Sequence, residues 1–137
     1  MGFDRQDFVN RSLRGLAAQG WRQAVDVNKD GDGTACRYRT PDGSGCGIGV
    51  VLGPHYDPEI EETSLTSAEA GGRNGGGAGI LQRCLDGALP GWRDRHEDVV
   101  FLESWREVHD GSYKPEDMRT SYVEFVRAHE LTWPEDV

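Results

Sequence analysis

Long apolar runs, clustered basic residues and paired cysteines are all missing from this sequence. No stretch approaches the roughly 20 apolar residues that a membrane-crossing helix needs, and the first residues lack the apolar core of a secretory leader. Lys and Arg number 15 against 24 Asp and Glu, giving a formal net charge of −9 and a pI near 4.8. Binding to nucleic-acid phosphates or to an anionic membrane draws on basic clusters, so neither is expected. The three cysteines, Cys36, Cys46 and Cys84, are odd in number and do not form a disulfide framework. They read as reduced thiols in a cytoplasmic chain.

Catalytic and cofactor signatures are missing too. Zinc held by Cys36, Cys46 and His55 or Cys84 fits in composition, but the close Cys-x₂₋₄-Cys spacing of structural zinc is lacking. The thiols therefore read as small buried hydrophobes. Cys46 with His55 and Asp57 could be nominated for nucleophilic work, yet no basic neighbour or helix N-terminus stands ready to form a thiolate. The glycine-rich run at 71–79 has no Gly-Lys-Ser/Thr ending and follows no expected strand, so it is not a phosphate cradle. Its composition predicts a flexible loop.

Glycine is what the chain has in excess, 19 of 137 residues, about twice the usual share of roughly 7%. At 137 residues the sequence predicts one domain, 1–137, large enough to bury a core without staples. Its densest apolar, low-charge segment is 35–57. Thr40-Pro41-Asp42-Gly43 carries the residues of a tight turn, with Pro where φ is preset and Gly where φ is positive. Pairing Thr40 with Ser44 predicts a hairpin with Cys36, Tyr38, Cys46, Ile48, Val50 and Leu52 on one face. Arg37, Arg39, Gly47 and Gly49 share the other, and the glycines leave room for a close neighbour. In that register Cys36 and Cys46 are diagonal, which disfavours a disulfide between them.

Around the hairpin the pattern is helical. Asp4 caps a helix to Gln19, with Phe3 and Phe8 as a staple and Gly20 as the stop. One or two turns follow over 64–70, then apolar repeats from Ile80 to Leu89, from 94 to 109, and from Pro115 onward, the last with Met118, Tyr122, Phe125, Val126 and His129 facing inward. The expected architecture is α+β, a single β-hairpin packed against about four helices.

Two acidic stretches are candidate sites. Asp26, Asn28, Asp30, Asp32 and Thr34 place oxygen ligands as an EF-hand does, with Gly31 at the sharp turn. Arg37 stands where the bidentate Glu belongs, so Ca²⁺ would need a further carboxylate such as Asp57 or Glu59. The segment 30–36 also resembles Excalibur-type calcium loops, again with Arg37 in place of the acid. Asp57, Glu59, Glu61 and Glu62 form an acidic patch suited to a basic partner.

The run Cys36-x-Tyr38-Arg39-x-x-x-Gly43-x-x-Cys46-x-Ile48-Gly49, followed by Tyr56-Asp57-Pro58-Glu59-Ile60-Glu61, resembles a family of small uncharacterised phage and prophage proteins. Leu102 to His109-Asp110 resembles that family's later helix. This chain differs by the insertion 29–33 and the long glycine run. The resemblance implies a non-enzymatic accessory protein in a host cell, binding a host or phage protein such as a defence or regulatory factor. The alternative is a binding protein for Ca²⁺ or a small molecule, or a cryptic enzyme, using Arg37, Arg39, His55 and Asp57. A third option is self-assembly through exposed Trp92 or Trp133.

Overall fold

Local signals dictate the first element. The Asp4 side chain accepts the Asp7 N–H at 3.1 Å, and Phe3 packs on Phe8 with ring centroids 5.8 Å apart. Together they start helix α1, Arg5–Ala18. The helix ends in a Schellman motif: Gly20 N–H donates to Ala17 O and Trp21 N–H to Leu16 O, with Gly20 at φ +76°. Phe8, Val9, Ser12, Leu13 and Leu16 are its buried face.

The computed structural model describes residues 2–27, 34–71, 76–112 and 114–137. Within them, α1 is followed by a short antiparallel ladder of β1, Val25–Val27, with β2, Thr34–Cys36, in the register Val25 opposite Cys36. Helices α2 (Gly49–Leu52), α3 (Leu65–Ala70), α4 (Gly76–Ala88), α5 (His96–Asp110) and α6 (Pro115–Ala128) complete the order. Single 3₁₀ turns lie at Gly53–His55 and Pro58–Ile60.

The fold is therefore mainly helical, and this overturns the expected α+β domain built on a 35–57 hairpin. The turn itself closes: Thr40 N–H donates to Ser44 O at 2.8 Å and Gly43 sits at φ +90°. Strand pairing across it stops after one bridge, Arg39 with Gly45. The second arm then coils into α2, because Val50 N–H bonds Cys46 O at 3.0 Å and the Cys46 sulfur accepts Gly49 N–H at 3.3 Å. Ile48, Val51 and Leu52 become the buried residues at helical spacing, and Val50 turns half outward.

Glycines permit this packing. A Cβ on Gly49 would sit 1.6 Å from Tyr38 O, and one on Gly47 would sit 2.7 Å from Trp105 Nε1. The 71–79 loop is also corrected: residues 76–79 are the first turn of α4, and 72–75 lie outside the described residues. A Cβ on Gly77 would meet Thr63 Oγ1 at 3.0 Å and Glu59 O at 3.2 Å, so α4 seats directly on the preceding turn.

Helices α1, α5 and α6 meet on an aromatic cluster. Phe8, Tyr122 and Phe125 surround Trp105, with ring centroids 5.7, 4.4 and 5.2 Å away. The buried Ser12 hydroxyl accepts the Trp105 indole N–H at 2.8 Å and donates to Gly47 O at 2.6 Å, so the polar edge of the cluster is satisfied. Ile60, Leu65, Ala68, Leu81 and Leu85 extend the core through α3 and α4. His129, expected to face inward, is exposed.

The expected self-assembly tryptophans are both occupied internally. Trp92 is fully buried and donates to Asp86 at 2.9 Å. Trp133 is half-buried and stacks on Trp21 at 6.1 Å, in a tail also held by a reciprocal pair between the Gln6 side chain and the Thr132 backbone. No helix among the described residues is long and apolar enough to cross a membrane.

Candidate functional site

Between β2, the 38–46 turn and the C-terminal half of α5 lies a cleft of about 300 Å³. It is lined by Cys36, Tyr38, Cys46, Ser64, Arg106 and Asp110, together with Arg37 and Glu62. The strand register delivers Cys36, and the turn delivers Tyr38 and Cys46. Helical spacing of four residues puts Arg106 and Asp110 on one side of α5.

Arg106 is the hub. One terminal nitrogen donates to the Tyr38 hydroxyl at 2.6 Å and to Thr63 O at 3.2 Å. The other donates to Glu103 at 3.1 Å. The Tyr38 hydroxyl in turn donates to Thr63 O. Arg106 Nε is buried and finds no hydrogen-bond acceptor among the described residues; Asp110 Oδ2 is 3.9 Å away, too far for a hydrogen bond.

Asp110 is bound to the buried His109. Ala24 N–H donates to His109 Nε2 at 2.8 Å, so that nitrogen is the bare one and Nδ1 carries the proton. Nδ1–H then donates to Asp110 Oδ1 at 3.0 Å. Gln23 secures the same helix end by donating to Asp110 O at 2.9 Å.

The chemistry of the thiols follows. Burial, then the negative charge of Asp110 and a hydrogen bond to it, push Cys36 up to about 12. Burial alone is the leading cause that pushes Cys46 up to about 12. Both are protonated at neutral pH. His109 Nε2 accepts from Ala24 and its Nδ1–H donates to Asp110, so neither ring nitrogen is free to take the Cys36 proton. With the thiol also held protonated by burial, the arrangement is not that of a cysteine nucleophile.

Cys36, His109 and Asp110 offer ligand atoms within 4.8 Å of one another. A cation there would have to displace the Nδ1 proton while Nε2 still accepts from Ala24, leaving an imidazolate, or break the Ala24 bond. The donor set does not fit a metal on those terms. The zinc set considered from sequence is not assembled either. His55 lies exposed on a 3₁₀ turn against Gly87, and Cys84 is buried on α4.

The sequence-predicted sites are dispersed. Of the calcium loop, Asn28, Asp30 and Asp32 lie outside the described residues, and Asp26 sits opposite Ala35 in the ladder, beside the Val27–Thr34 pair. In the acidic patch, Glu61 is only 5% exposed and works internally. It accepts from Tyr38 N–H at 2.8 Å, Arg39 N–H at 3.1 Å and the Tyr56 hydroxyl at 2.6 Å. Asp57 accepts the Glu59 N–H at 2.9 Å, closing a 3₁₀ turn. Glu59 and Glu62 remain exposed. Arg39 lies over the Tyr56 ring at 4.4 Å and donates to Gly53 O, leaving Arg37 alone of the alternative set in the cleft.

Sequence reasoning passed over Arg106 and Asp110. Their spacing on α5 was the available signal, but nothing local indicated that Tyr38 would meet them.

The surface has a different character. Many cations are spent on internal or reciprocal contacts: Arg5 with Asp98, Arg14 with Asp136, Arg93 with Asp86, Arg119 over Trp133. Exposed Glu97 and Glu107 on α5, and Asp117 and Glu124 on α6, enter no such pairs among the described residues. On α5 the stripe 97, 100, 104, 107 repeats at helical spacing and carries Val100, 46% exposed, among the acids. No family model matches the chain, and no curated protein or solved structure matches it.

Proposed function

We propose that this is a non-enzymatic, acidic accessory protein of the phage type that acts by binding a basic host or phage protein. The observation that carries this reading is the acid stripe of α5, Glu97 and Glu107 flanking exposed Val100, which forms no ion pair among the described residues. An apolar contact rimmed by charge is the usual anatomy of a protein interface, and the net charge of −9 steers basic partners toward it. Two further features support a binding role over catalysis: burial pushes both thiols up to about 12, and the one buried imidazole has both nitrogens engaged.

The test is affinity capture from bacterial lysate with the native chain and with a Glu97→Lys/Glu107→Lys variant, at low and at high salt. A basic protein retained by the native chain, lost from the variant and weakened by salt supports the reading. Equal capture by both chains, or no specific capture by either, refutes it.

A further inference from the structure

Two residues that line the cleft beside α5, Arg106 and Asp110, form a mismatched pair. Arg106 Nε–H is a buried donor without an acceptor among the described residues, and the Asp110 Oδ2 acceptor is 3.9 Å from it. The other polar side-chain atoms of these two residues are engaged. The Arg106 terminal nitrogens serve Tyr38, Thr63 and Glu103, and Asp110 Oδ1 serves His109. A buried donor left unpaired is costly, and a native fold that carries one calls for a reason.

We propose that this cleft is a binding site for a small neutral molecule bearing a primary carboxamide. Such a group places an acceptor oxygen and a donor N–H side by side on one plane. The oxygen accepts from Arg106 Nε–H while the syn N–H donates to Asp110 Oδ2, so donor and acceptor are satisfied at once. A carboxylate in the same place sets its second oxygen against the Asp110 carboxylate. An ammonium ion sets its protons against the Arg106 guanidinium. A trans peptide group points its C=O and N–H in opposite directions and cannot make the pair. A lone hydroxyl can, but water offers the same bonds and gives a ligand no advantage.

Charge and size agree with this choice. The lining holds two arginines and two acids, a balance that favours a neutral guest over an ion. A volume of about 300 Å³ stands at the small end of ligand pockets. The Cys36 thiol, half-buried at the wall and protonated, presents a soft, nearly apolar surface to the remainder of the guest.

The experiment is a titration of the ¹⁵N-labelled chain with benzamide, benzoate and benzylamine, following the Arg106 Nε–H resonance. Saturable movement of that resonance with benzamide, and binding at least about tenfold weaker for the two ions, is the expected result. Arg106→Lys keeps the charge and removes the planar Nε–H, and a folded variant should bind benzamide at least about tenfold more weakly. An Nε–H resonance that benzamide leaves unmoved overturns the proposal, as does equal binding of benzoate or benzylamine. The native-chain arms decide the matter even where the lysine variant does not fold.

Discussion

The backbone N–H of Tyr38 donates to the carboxylate of Glu61 at 2.8 Å, in a place closed to solvent. The same carboxylate takes the Arg39 N–H and the Tyr56 hydroxyl, so one acid ties the 38–39 segment to the 56–61 turn.

Glu61→Gln should therefore destabilise the fold by about 2 kcal/mol, since the amide loses the charge and half its acceptor capacity. Glu61→Ala, which abandons the buried N–H groups altogether, should cost about 3 kcal/mol or more. Urea unfolding of both variants against the native chain measures the difference. A change inside a few tenths of a kcal/mol for Glu61→Ala would show that water can replace the carboxylate.

Two glycine-to-alanine changes should separate space from backbone conformation. A Cβ on Gly49 meets the Tyr38 carbonyl at 1.6 Å, and the backbone there has no room to give. Gly49→Ala should cost about 3 kcal/mol or more. Gly20 has open space and φ +76°, so Gly20→Ala should cost only about 1 kcal/mol. Thermal melts of the two variants give the ranking.

The thiols set an alkaline limit. Cys36 and Cys46 are pushed up to about 12 in the fold, against about 8.5 in an unfolded chain. Folding therefore retains protons that the unfolded chain gives up. Their contribution is complete below about pH 8.5 and is lost as pH rises toward 12. Urea midpoints measured upward from pH 8 should fall, and Cys46→Ala should flatten the fall. At pH 8, Cys46 should alkylate with iodoacetamide far more slowly in the folded chain than in urea, because burial both holds the thiol protonated and closes it to the reagent.

The 40–44 turn sets an acid-side response of the opposite sense. Hydrogen bonds from the Thr40 hydroxyl and the Ser44 backbone hold Asp42 down to about 2. A depressed carboxyl contributes stability above its unfolded value near 3.9 and loses it as pH falls toward 2. Asp42→Asn should remove that part of the slope between pH 4 and 2. Denaturation midpoints of the two chains across that interval should converge as pH falls.

Helix α1 was legible because its signals are local: Asp4, the Phe3–Phe8 staple and Gly20 act within a few residues of one another. The start of α6 at Pro115 and the short helical turn over 64–70 were readable for the same reason. The hairpin failed at an ambiguity of period. Ile48, Val50 and Leu52 alternate as a strand would, while Ile48, Val51 and Leu52 repeat as a helix does. What decides between them is the contact of Gly49 with the Tyr38 carbonyl and of Gly47 with Trp105, both set by tertiary packing. The candidate site divides along the same line. Cys36 and Cys46 stood out by residue type, whereas Arg106 and Asp110 gain meaning only once α5 is laid against β2.

The stacking of Trp133 on Trp21 leaves the four indoles in two environments. Trp92 and Trp105 are sealed in the interior, while Trp21 and Trp133 sit half-covered where the tail lies on the first helix. Acrylamide quenching will therefore sort the emission into a protected fraction and an accessible one. The accessible fraction serves as a built-in optical gauge of whether the tail is docked, independent of the interior.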